Sequence, residues 1–153
     1  MAHEGMVHAL EEIHRLLRPA GTLIEIHPSL EGPPRVEVRS NGGLSFAEDD
    51  PGFDYADDLR QAEAAVASVV DRGMFVLEDR RRFELRTHAG SVEELRDHWE
   101  VAGAYDQEEK EETLVRRRDE MYARAHAVME NAARPSEVVY IEPATMSRLT
   151  ASG

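Results

Sequence analysis

Residues 6–28, MVHALEEIHRLLRPAGTLIEIHP, spell a helix, a turn and a strand in succession. Met6, Leu10, Ile13 and Leu17, flanked by Val7, Ala9 and Leu16, recur at helical spacing and predict one apolar face. His8, Glu11, Glu12, Arg15 and Arg18 fill the opposite face. Glu11 precedes Arg15 by one helical turn, the favourable order for an ion pair, and Arg18 complements the carbonyls at the helix C-terminus. Pro19 and Gly21 stop the helix. Thr22-Leu23-Ile24-Glu25-Ile26-His27 is then short, β-rich and mostly apolar, and Pro28 ends it, so a strand is expected. A helix that passes through a short turn into such a strand is half of a parallel α/β unit.

The chain reads outward from that unit. Only Met1–Gly5 precede the helix, as a frayed terminus. After Pro28, Ser29–Pro34 is a turn-rich connector, and Val36–Arg39 and Leu44–Phe46 alternate on either side of Ser40-Asn41-Gly42-Gly43, a hairpin signal. Glu48-Asp49-Asp50-Pro51 reads as a solvated acidic turn. Asp54 can cap a second helix with an apolar stripe of Tyr55, Leu59, Ala62, Val66 and Val69, ended by Gly73. Met74–Leu77 and Arg82–His88 are two short β-like runs parted by the polar Glu78-Asp79-Arg80-Arg81. Ser91-Val92-Glu93-Glu94 is a capping box opening a third helix through Leu95, His98 and Trp99. Gln107–Arg134 is a long helix with acids first and Arg116, Arg117 and Arg118 after them, which suits the helix dipole and pairing along the helix; Pro135 ends it. Glu137–Ile141 is a final strand closed by Pro143, and a short tail follows. Neither an internal repeat nor a low-complexity segment is visible.

Composition narrows the classes. The 153 residues suit one globular domain, with 31 acidic against 18 basic side chains and a net charge of −13. Such a field repels nucleic acid and anionic membrane. No cysteine is present, which excludes disulfides and thiolate metal sites and suits a reducing compartment. No apolar run approaches the ~20 residues of a membrane span, and the N-terminus is unlike a signal peptide. A soluble cytoplasmic protein is the expectation.

The wording of the opening unit carries more than a fold class. Leu10, Glu12, Ile13, Arg15, Leu17, Arg18, Pro19 and Gly21 resemble a signature of class I S-adenosylmethionine-dependent methyltransferases (methyltransferase type 11/25-like), in which a Leu-x-Glu-Ile-x-Arg-x-Leu helix runs through Lys/Arg-Pro-Gly-Gly into the fifth strand. Ala20 replaces the first glycine, a mild change. The resemblance implies an α/β fold: a partial Rossmann-like methyltransferase sheet of the fifth to seventh strands, with flanking helices and an inserted β-hairpin at 29–53 forming a lid or rim. It places the sixth strand at 82–88 and the seventh at 137–141, antiparallel and between the other two. The methyltransferase-like part then spans 1–146, with 147–153 as tail. The implied activity is methyl transfer from S-adenosylmethionine to a small-molecule methyl acceptor.

The same resemblance implies that the first half of the domain, with the cofactor's glycine-rich turn and ribose-binding acid, lies outside this chain. Gly42-Gly43 follows no buried strand and opens no helix, so no cofactor-binding residue is assigned and the chain alone is expected to be inactive. A non-catalytic binding module that completes its sheet as a homo-oligomer, or with an N-terminal-half partner, is the rival reading. Ligands of α/β sheets sit at the carboxyl ends of strands, so His27 and His88 are candidate substrate-side bases, and the resemblance adds His3 at the mouth of the cleft. His27 also reads as a rim histidine bonded to backbone, and His3 as part of a frayed terminus. No metal site is assigned, since no His-Glu-x-x-His run is present. Arg80-Arg81-Arg82 beside Glu78, Asp79 and Glu84 reads as a solvated face, and Trp99 as core.

Overall fold

The computed structural model describes residues 2–53, 55–102 and 111–153, the side chains of Ala2 and His3 excepted. Its elements are α1 (Ala2–Leu16), β1 (Thr22–Pro28), β2 (Arg35–Ser40), β3 (Gly43–Asp49), α2 (Ala56–Asp71), β4 (Phe75–Ala89), α3 (Val92–Ala102), α4 (Glu112–Asn131) and β5 (Ser136–Ala151). The chain is α/β with a five-stranded antiparallel sheet, so the parallel unit expected from the opening helix and strand does not form: the strand that pairs with β1, β5, runs against it. β1 runs against β5 from Thr22↔Thr150 to Pro28↔Ala144, and β2 runs against it from Arg35↔Ile141 to Ser40↔Ser136. β3 pairs with β2, and β4 pairs with β5.

Contacts divide the chain into two compact units, Met1–Gly32 with Asp54–Phe83 and Pro143–Gly153, and Pro33–Phe53 with Glu84–Glu142. β4 and β5 each contribute one part to either unit.

In the first unit α1 and α2 cover one face of β1 and the C-terminal part of β5. Leu10, Ala65, Val66, Val69, Phe75, Leu149 and Ala151 form its core, with Val7, Ile13, Leu17 and Leu23 packed against them. The buried stripe of α1 is thus centred on Val7 and Leu10, while Met6 and Leu16 remain exposed. α1 begins at Ala2, so most of the segment read as frayed is helical. Gly73 ends α2 as expected: at φ +72° its amide donates to Val70 and that of Met74 to Val69, satisfying two orphan carbonyls. The proposed cap Asp54 lies outside the described residues.

In the second unit Val36, Val38, Val138 and Tyr140 of the sheet pack against Ala89, Val92, Leu95, Met121, Tyr122 and Ala125. The Asn41-Gly42 hairpin forms with both residues at positive φ, 49° and 75°. It is no appended lid, because β2 is itself paired with β5 and its Val36 and Val38 are fully buried. The Ser91 cap forms, with Glu94 N donating to Ser91 Oγ at 3.1 Å, but the return bond of the box is shifted by one residue: Glu94 Oε2 accepts from Gly90 N at 2.7 Å.

Three boundaries differ from expectation. The two runs around Glu78–Arg81 are one strand, β4, because its charges find partners: Arg81 with Asp79, Arg82 with Glu31, and Arg80 donating to Ser147 Oγ. The last strand does not close at Pro143, and 147–151 is strand rather than tail. Pro143 has no N–H to give, but it stands opposite the 29–34 connector, between the β1 and β2 ladders, and so removes no ladder bond. Its carbonyl accepts from Ser29 N at 2.8 Å. The long helix is described from Glu112 to Asn131; the acids at 108 and 109 lie outside the described residues.

Candidate functional site

Strand alternation builds the site in the first unit. Leu23, Glu25 and His27 share the face of β1 that the helices cover, so Leu23 enters the core and the two polar side chains lie beyond it. Ile24 and Ile26 take the other face, 50% and 56% exposed. The register sets Glu25 opposite Ser147 and His27 opposite Thr145, and both of these β5 hydroxyl residues are buried.

His27 is itself buried, 8% exposed, and lies between two carboxylates. Its Nδ1 donates to Glu25 Oε1 at 2.6 Å, a short charge-assisted bond. Its Nε2 lies 3.4 Å from Glu63 Oε1, on α2. The other Glu25 oxygen, Oε2, is buried and has no partner among the described residues. The imidazole at the end of β1 is thus oriented and covered.

His88 stands on β4 with Nδ1 2.9 Å from Glu137 Oε2, and both side chains are about half exposed. This is the exposed ion-pair geometry of a sheet surface. His3 lies in the first turn of α1; its side chain is outside the described residues. Among the described residues no three His, Asp or Glu side chains are grouped to hold a metal ion.

A second polar cluster, in the second unit, escaped sequence reasoning. Asp50, read as part of a solvated turn, is 4% exposed. Arg118 grips it with Nε to Oδ1 and Nη2 to Oδ2, each at 3.0 Å. The Tyr140 hydroxyl donates to Oδ2 at 2.6 Å, and Gly52 N donates to Oδ1 at 2.8 Å. The Asp50-Pro51-Gly52 turn wording was a signal for the last bond only. Arg118 passes so close to Gly52 that a Cβ there would stand 2.2 Å from its Nη2.

The charges act on their neighbours. Burial pushes the Tyr122 hydroxyl up to about 12, with the Asp50 charge adding to it. Burial opposes the Arg118 charge, yet the hydrogen bond and charge of Asp50 outweigh it and raise the guanidinium above its usual range. Burial, then Asp50, pushes the Glu142 carboxyl up. With its lone pairs taken by four donors, Asp50 is a latch between the loop after β3, α4 and β5.

Trp99 packs against the second core, its ring 4.8 Å from that of Tyr140. The strand-to-helix turns described with a glycine have that amide occupied, Gly90 N by Glu94 Oε2 and Gly52 N by Asp50 Oδ1, and Gly42 lies between antiparallel strands. None of them offers the open backbone that a nucleoside cofactor requires.

No protein-family model, curated protein or solved structure matches this chain.

Proposed function

We propose that the chain is the C-terminal half of a class I methyltransferase-like domain, whose parent activity is methyl transfer from S-adenosylmethionine to a small molecule. The observation that carries this reading is the turn before β1. Ala20 adopts φ +60°, the left-handed region that favours glycine. A Cβ on Gly21 would stand 2.8 Å from the Arg18 carbonyl oxygen. The backbone therefore asks for two glycines, as the resembling signature has, and retains one. The position of β5, antiparallel to β1 and also paired with β4, adds support, since that is the order the resemblance assigns to the seventh strand.

The described residues do not fit the cofactor, so no chemical step is assigned to this chain alone. Calorimetric titration with S-adenosylmethionine and its demethylated product tests the reading. A folded sample is expected to bind neither; saturable binding near one site per chain would overturn the half-domain assignment.

A second reading, a non-catalytic module that completes its sheet with a copy of itself or another chain, is favoured by the edge of β1. Among the described residues β1 is paired only with β5, and its exposed Ile24 and Ile26 lack the charges that usually block strand addition. A monodisperse monomer by light scattering would count against self-association.

A further inference from the structure

We propose that Glu25, His27 and Glu63 form a gated proton acceptor, in which Glu25 fixes the imidazole and Glu63 is a movable cover over Nε2 that withdraws to admit a hydroxyl-bearing small molecule. The proposal is independent of the methyltransferase reading.

The two contacts of His27 are unequal. Glu25 sits two residues away on the same strand, holds Nδ1 at 2.6 Å, and its side chain is 18% exposed. Glu63 comes from a helix surface, is 34% exposed, and reaches Nε2 only to 3.4 Å. The strand contact is rigid and short; the helix contact is long and ends on a flexible side chain open to solvent.

The chemistry of imidazole adds a bias. A carboxylate accepts and cannot donate, so Nδ1 must carry the proton it gives to Glu25. In the neutral ring Nε2 then presents a lone pair to the Glu63 carboxylate. Two acceptors face each other there, and the contact repels. Only while Nε2 carries a proton does Glu63 hold it. In the neutral ring Glu63 is therefore held by no hydrogen bond and shields Nε2 by its bulk alone, and a hydroxyl donor, which can give Nε2 the bond that Glu63 cannot, displaces it. Its proton passes to Nε2 while the electron pair stays on the hydroxyl oxygen, and the imidazolium so formed lies between Glu25 and the returning Glu63. Ser147 and Thr145 line the β5 side of the cluster without charge, and Arg80, from β4, is held by Ser147 Oγ at 3.2 Å.

Carbethoxylation of the full chain with diethyl pyrocarbonate, which acylates unprotonated and accessible imidazole nitrogen, reads the gate directly by mass spectrometry of the His27 peptide. His8, with a side chain 74% exposed against 7% for His27, is the internal standard. Wild-type His27 is expected to react about tenfold more slowly than His8, in proportion to exposure, because acylation needs a free and reachable lone pair. Glu63→Ala, a change to a good helix former at a partly exposed position, should bring His27 to within a few-fold of His8. Adding Glu25→Leu, which leaves Nδ1–H without its acceptor, should slow His27 again, since the ring is no longer held with its lone pair outward. A wild-type His27 as reactive as His8, a protected His27 in folded Glu63→Ala, or identical rates in Glu63→Ala and the double variant would each overturn the proposal. Circular dichroism of each variant verifies the fold, and because the assay contains no S-adenosylmethionine, its outcome is separate from that of the titration.

Discussion

At the residue scale, Ala20 and the acids around Asp50 carry the clearest consequences. A left-handed alanine costs roughly 1–2 kcal/mol, and glycine returns about 0.5–1 kcal/mol of that as unfolded-chain entropy, so Ala20→Gly should stabilise the chain by roughly 0.5–1 kcal/mol in chemical denaturation. Unchanged or lowered stability would show that the turn relaxes away from positive φ. Asp50→Asn should cost about 2–4 kcal/mol, because it strands a guanidinium that is mostly buried and weakens the Tyr140 bond. The pH response follows from two opposed shifts. Glu142 is raised in the fold, so it destabilises when ionised, and stability should increase as pH falls from neutral through its folded value. Burial pushes Glu37 up, but its bonds to Arg35 and Arg39 hold it below the usual range. Its contribution is full above the unfolded carboxylate value and is lost as pH falls through the depressed folded one. Melting temperature against pH should therefore rise on mild acidification and fall on further acidification. Glu142→Gln should raise stability at neutral pH and abolish the rise.

At the element scale, the cap and turn signals in the sequence correspond to observed bonds, whereas the expected Glu11–Arg15 pair gives way to Arg15 with Glu12 and Glu11 with Arg72. Ser91 caps α3 through the Glu94 amide, and Ser91→Ala should cost about 1 kcal/mol while Ser91→Asp is near neutral. Equal stability of wild type and Ser91→Ala in urea would show that the cap contributes nothing. Asn41-Gly42 and Gly73 were legible for the same reason: positive φ restricts residue choice within a few positions of the turn. The β4 and β5 boundaries were not legible. Glu78–Arg81 reads as a loop until Ser147 supplies Arg80 with a partner, and Pro143 reads as a terminator until the gap between two ladders removes its penalty.

At the scale of the whole molecule, the open edge of β1 is the consequential feature. Ile24→Lys and Ile26→Lys sit on a face at least half exposed, so neither should lower monomer stability appreciably. If β1 mediates self-association, either lysine should shift the chain to monomer in light scattering. An oligomer indifferent to both would place the contact elsewhere.

Periodicity, caps and turns determined the helices, the hairpin and the apolar strand after Pro19, because each depends on residues within one or two turns of chain. The sequence also supplied His27 as a candidate. Only the tertiary structure decided its surroundings: Glu25 was two residues away in sequence, but Glu63 enters from a helix far along the chain. The Asp50–Arg118–Tyr140 latch was invisible for the same reason. A charge in an acidic turn and a charge in a basic helix both read as solvated until folding removes the water and leaves each as the other's partner.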